Sequence, residues 1–131
     1  ASPIISTDFF PTILELAGIK YQPPARIDGV SFTTALRGKP HDRGAMYWHY
    51  PHYGNQGCAP TGAVREGDWK LVLGNGSGGR QAPKGKPFGK PYFLANMKTD
   101  SDEQKNFAPS ESKTVERLEK AFQKIHKNER R

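Results

Sequence analysis

An α+β fold is what this 131-residue sequence predicts: a small antiparallel sheet of about four strands packed against a C-terminal amphipathic helix. Three observations lead there. Segments at 45–50, 62–73 and 91–97 read as short strands; in the first two, side chains alternate between two faces. The middle segment is broken by Glu66-Gly67-Asp68, so it reads as a hairpin. Residues 109–129 place Val115, Leu118, Phe122 and Ile125 at i, i+3, i+7 and i+10, a helical stripe with charged residues on the other faces. A lone hairpin is marginal in water, and a helix laid on a wider sheet supplies the missing core.

Taken in order, residues 6–18 read as a helix. Phe10, Ile13, Leu14 and Ala17 mark one buried face, and Phe9 and Leu16 widen it. A start at Thr7 or Asp8 leaves Pro11 within about the first turn, where its missing N–H costs little. Gly18 suits the left-handed position that ends a helix. This stripe needs a second surface to cover it. Residues 20–30 are a connector with Pro23-Pro24 and Asp28-Gly29 as punctuation. Ser31 to Leu36 predicts one or two helical turns, with Ser31 as N-cap and Gly38 as stop. In the 45–50 strand, Met46, Trp48 and Tyr50 share one face and Tyr47 and His49 the other; Pro51 ends it. Trp69, Leu71 and Leu73 form the apolar face of the hairpin. Residues 74–90 are Gly-rich, hold Arg80, Lys84, Lys86 and Lys90 and no acid, and read as a mobile basic loop. Pro109 fits the first turn of the last helix, and Glu116 with Lys120 adds an i, i+4 pair.

Composition narrows the class. The hydrophobic share is 34%, with 14 Gly and 11 Pro, so the chain is folded but loop-rich. No apolar run approaches the roughly 18 residues of a membrane span. One cysteine, Cys58, excludes an internal disulfide framework and a multi-Cys zinc module. The net charge of +7 favours anionic partners without choosing among nucleic acid, acidic lipid and sulfated or carboxylated glycan. The chain begins at Ala1 with no basic and apolar leader, so a signal has been removed or the chain is a piece of something longer.

Self-contained chemistry is hard to find. His49-x-x-His52, with Cys58 and His41 nearby, lacks the fixed directions of a helical pair and any CxxC, so a metal site is not expected. Two readings stand for it: a polar cluster at a strand end open to a ligand, or ordinary packing and surface positions. The glycine run at 74–79 lacks the Gly-Lys-Ser/Thr ending and the following helix of a phosphate loop. No Gly-x-Ser-x-Gly elbow and no triad arrangement is present. Aromatics interleaved with basic residues also occur in single-strand nucleic-acid binders, but here they alternate as a core does, and no nucleic-acid partner is expected.

Several phrases together carry a resemblance. Residues 2–18 (SPIISTDFFPTILELAG) resemble the helix that closes the large domain of type I, formylglycine-dependent sulfatases. Residues 28–38 (DGVSFTTALRG) are similar to the family's DGxSLxPLLxG segment, and residues 47–53 (YWHYPHY) resemble a strand and loop of its polysaccharide-acting branch. Residues 63–72 (AVREGDWKLV) are similar to AxRxGxWKLI, and residues 92–108 (YFLANMKTDSDEQKNFA) to ELYNLxxDPxExxNLA. Order and spacing match across nearly the whole chain, with 74–90 as an insertion.

The resemblance implies a division at residues 1–40, the closing helix and connector of an alkaline-phosphatase-like large domain, and 41–131, the C-terminal subdomain. The large domain itself would be missing from this chain and would be the partner of the helix at 6–18. With it would lie the Ca2+ ion and the formylglycine; no cofactor is expected in this segment. Cys58-Ala59-Pro60-Thr61-Gly62 mimics the formylglycine motif, but Gly62 stands where the motif has Arg, so Cys58 reads as an ordinary cysteine. The resemblance thus implies no catalytic residue here. It implies a sulfated glycan as substrate of the parent, an exported location, and no membrane span. His49, His52 and Tyr53 are the expected glycan contacts, with Lys84, Lys86 and Lys90 steering a polyanion or simply solvated. A stand-alone polyanion-binding module and an inert scaffold piece are the alternatives.

Overall fold

The computed structural model describes residues 2–20, 27–50, 52, 60–74 and 92–128, which fall into two units, Ala1–Gly44 and Ala45–Arg131. In the first, a 3-10 turn (Ser6–Asp8) runs into α1 (Phe9–Leu16), and a short α2 (Thr33–Leu36) follows the connector. Gly18 and Gly38 adopt the left-handed φ expected after each helix, +67° and +72°. The expectation of Ser31 as N-cap is corrected: the N-cap of α2 is Phe32, with no side-chain cap bond, and the Ser31 hydroxyl one residue earlier accepts the Thr33 N–H at 3.4 Å.

The face that α1 hides is not the apolar one. Asp8 and Thr12, at i and i+4, are the buried residues, and Glu15 continues their row. The Thr12 hydroxyl donates to the Asp8 carbonyl at 2.6 Å and accepts the Phe32 N–H at 3.0 Å, while the Thr33 hydroxyl donates to Glu15 at 2.6 Å. The Asp8 carboxylate accepts the Ile5 and Val30 N–H groups at 3.1 and 2.9 Å, and Arg43 grips it through Nε at 3.1 Å and Nη2 at 3.0 Å. The expectation that Phe10, Ile13 and Ala17 are buried is corrected: all three are exposed, and only Leu14 of that set is half-buried. Helical periodicity identifies which side chains share a face; it does not say which face meets the chain's own connector. Backbone N–H groups of the connector need acceptors, and the polar face supplies them.

In the second unit, β1 (Met46–Tyr50), β2 (Thr61–Glu66), β3 (Trp69–Leu73) and β4 (Tyr92–Asn96) form one antiparallel sheet in chain order. Glu66 faces Trp69, so the hairpin turn is Gly67-Asp68 alone; Gly67 takes φ +58° at the first turn position, the sign a type II′ turn requires. The register aligns Tyr47, Val64, Leu71 and Leu94 across the sheet, and His49, Gly62, Leu73 and Tyr92 beside them. This face receives α3 (Ser112–Asn128): Val64, Leu71, Leu73 and Leu94 pack with Val115, Leu118 and Phe122. Leu71, Leu73, Leu94 and Leu118 are fully buried, each contributing about 1.5–3 kcal/mol of transfer free energy. The opposite face carries Trp48, Ala63, Val72 and Phe93 in one cross-strand row.

Pro109 is not in the first turn of α3. It lies in a preceding turn in which Ser110 and Glu111 N–H both donate to the Phe107 carbonyl, at 3.1 and 3.0 Å. That turn follows a segment fastened along β4: Asn106 accepts the Leu94 N–H and donates to the Tyr92 carbonyl, each at 3.0 Å, and the Phe107 N–H donates to the Leu94 carbonyl at 2.8 Å. Edge strands with unpaired backbone invite association, and these bonds cover one edge.

Candidate functional site

Gly62 sets the geometry at the β1 end of the sheet. A Cβ there would lie 2.3 Å from Cζ of Phe122, so the absence of a side chain lets the Phe122 ring settle on the backbone of β2. Phe122 in turn meets two imidazoles. The His49 ring, from β1, is 6.4 Å from Phe122 by centroid; the His126 ring, one turn further along α3, lies 6.1 Å from it and nearly parallel, at 11°. His49 and His126 are 4.7 Å apart with their planes at 69°. Together with Tyr47 and Ile125 these side chains line a small recess of about 40 Å3. Burial pushes the Tyr47 phenol above its usual pKa, so it stays a neutral donor and acceptor.

Of the expected glycan contacts, His49 is exposed on the helix side of β1. His52 is also exposed, but its ring stands edge-on to Tyr50 at 5.5 Å, and Tyr50 belongs to the other face of the strand. The two histidines are therefore not brought together. Tyr53, Cys58, Lys84, Lys86 and Lys90 lie outside the described residues, as does the basic loop beyond Gly74. His41 sits in the first unit, its Nδ1 3.2 Å from the Thr34 hydroxyl. His126 escaped the sequence reading, although a signal was there: Leu118, Phe122 and His126 follow i, i+4, i+8 along the stripe that contacts the sheet. Among the described residues no group of three or more His, Cys, Asp and Glu side chains is placed to hold a metal ion, and no helix is long and apolar enough to cross a membrane.

The first unit offers a surface of another kind. Phe9, Phe10, Ile13, Leu16 and Ile19 are 48–61% exposed, forming the apolar side of α1 and its exit.

No family model matches the chain, and no curated protein matches it. Solved structures do. BT4656, determined with its substrate D-glucosamine-2-N,6-O-disulfate, is 25% identical with a TM-score of 0.63 over 92% of this chain. A protein of Bacteroides thetaiotaomicron VPI-5482, provisionally named a sulfatase, is 26% identical with a TM-score of 0.59 over 84% of the chain. This chain is related to the sulfatases. BT1596, a 2-O glycosaminoglycan sulfatase, shares the fold at 24% identity and a TM-score of 0.66 over 92% of the chain. The chain spans only 23%, 22% and 24% of the lengths of these three sulfatase-related structures, respectively.

Proposed function

We propose that this chain is the C-terminal part of a sulfatase that hydrolyses sulfate esters of a sulfated glycan, and that it borders the substrate pocket without carrying the reaction. The likeness over 92% of the chain to a protein solved with a disulfated glucosamine carries the proposal. The exposed face of α1 supports it. A contiguous apolar patch of this kind marks an interaction site, and a chain about four times longer offers a domain to cover it. On this reading the large domain also holds the formylglycine that attacks sulfur and the Ca2+ that neutralises the sulfate oxygens. The residues proposed to meet the glycan are His49, His52 and Tyr53, with Lys84, Lys86 and Lys90 drawing in the polyanion through long-range attraction. The parent is proposed to be exported.

The test uses the full reading frame that encodes this chain. Sulfate release from D-glucosamine-2-N,6-O-disulfate or 4-methylumbelliferyl sulfate is expected from the full-length protein and not from the 131-residue chain alone. A full-length product that turns over phosphate esters but no sulfate ester defeats the proposed activity. Turnover by the isolated chain defeats the bordering role. In the intact enzyme, an unchanged kcat/KM on the glycan after His52→Ala removes His52 from the contacts.

A further inference from the structure

We propose that His49 and His126 form a two-imidazole site for a first-row divalent metal ion of the nickel, copper or zinc type, clipping the edge strand to the end of α3. The spacing carries the proposal. An imidazole nitrogen lies about 1.1 Å from the ring centroid and binds such a metal at about 2.0–2.1 Å, so a metal in the ring plane sits about 3.2 Å from the centroid. Two rings with centroids 4.7 Å apart would subtend about 95° at a metal lying in both ring planes, near the angle of adjacent ligands in square-planar and octahedral sites.

The surroundings suit that use. His49 comes from a strand and His126 from a helix; the core of Phe122, Leu118 and Val64 joins that helix to the neighbouring strand β2, and Tyr47 of β1 packs against it. The Phe122 ring runs nearly parallel to that of His126, 6.1 Å away by centroid. The recess beside the pair is large enough to admit water, so the remaining coordination positions have ligands available. Neutral imidazole selects the later transition metals, whereas Ca2+ and Mg2+ require oxygen donors that this recess does not concentrate. The site uses the second unit alone and shares His49 with the proposed glycan contacts, so its test reads metal binding and not sulfatase activity.

The experiment is a calorimetric titration of the 131-residue chain with Ni2+ at about pH 7.5, above the ordinary histidine pKa. One Ni2+ per chain is expected. His49→Gln and His126→Gln should each weaken binding by about tenfold or more, whereas His41→Gln and Cys58→Ser should leave it unchanged. Saturating Ni2+ should raise the Tm of the parent sequence but not of His126→Gln. Absence of binding, binding indifferent to both substitutions, or binding lost with Cys58→Ser overturns the proposal.

Discussion

Removing the Asp8 carboxylate tests the claim that the first unit is held by its polar face. Asp8 is fully buried, and the side chain of Arg43 is 7% exposed. In Asp8→Ala the guanidinium keeps its charge in the same place without a counter-ion, and the Ile5 and Val30 N–H groups lose their acceptor. Breaking a buried pair by deleting one partner costs about 3–5 kcal/mol. The two stranded donors cost about 1–3 kcal/mol each if they stay dry, and these figures overlap rather than add. A loss of about 3–5 kcal/mol is two to three and a half orders of magnitude in an opening equilibrium. Both tryptophans, Trp48 and Trp69, lie in the second unit, so fluorescence does not report on this event. Amide hydrogen exchange does. Protection at Val30 and Phe32 should fall by that factor, or vanish if the unit opens altogether, while Leu71 and Leu94 hold theirs. Exchange at Val30 and Phe32 within about threefold of the unaltered chain refutes the reasoning. The pH dependence has a definite sign. Burial raises the Asp8 pKa, but the Val30 and Ile5 N–H groups and Arg43 together outweigh it and hold the carboxyl below its usual value. The unfolded chain therefore binds the proton first, at about pH 3.9, and the stabilisation is present above that pH and lost as pH falls through the folded value. Asp8→Ala should show none of this acid-side loss.

Three further outcomes follow from the same geometry. Gly62→Ala puts a methyl on the Phe122 ring, so urea unfolding followed at the tryptophans should shift by about 1–3 kcal/mol, and Phe122→Leu in the same chain should recover part of it; additive losses would contradict the close approach. The Tyr92 phenol is pushed up to about 12 by burial, then by its 2.5 Å hydrogen bond to Glu119 and that carboxylate's charge. The unfolded chain loses this proton first, so stability should decline as pH rises from about 10 through about 12, and Tyr92→Phe should flatten that limb in an alkaline melt. Ile13→Asp, on a residue 61% exposed, should change the stability of this chain by no more than about 0.5 kcal/mol yet sharply lower the soluble yield of the full-length protein; unchanged yield would mean nothing covers α1.

Much of the second unit was legible because its signals are local. Alternation in 69–73 and the spacing of Val115, Leu118 and Phe122 both follow from which side chains share a face, and one core satisfied both. Proline is tolerated in a first turn, so Pro109 reads as helical from sequence; the Phe107 carbonyl, which captures two N–H groups ahead of Ser112, is a tertiary choice that proline alone does not reveal. The site divides the same way. His49 and His52 are close in sequence, but neighbouring strand residues project to opposite sides, and the His52 ring stands against Tyr50 on the other face.

By itself the sequence determined the element types, the hairpin, the stripe of α3 and the sulfatase-like order of motifs, since periodicity, turn chemistry and motif spacing are properties of the chain. Only the tertiary structure decided that α1 hides Asp8 and Thr12 while presenting its apolar side outward, and that His49 meets His126. Each depends on groups brought together from distant positions: Asp8 on Val30 and Arg43, and His49 on a helix 77 residues further along, seated by a glycine that leaves room for Phe122.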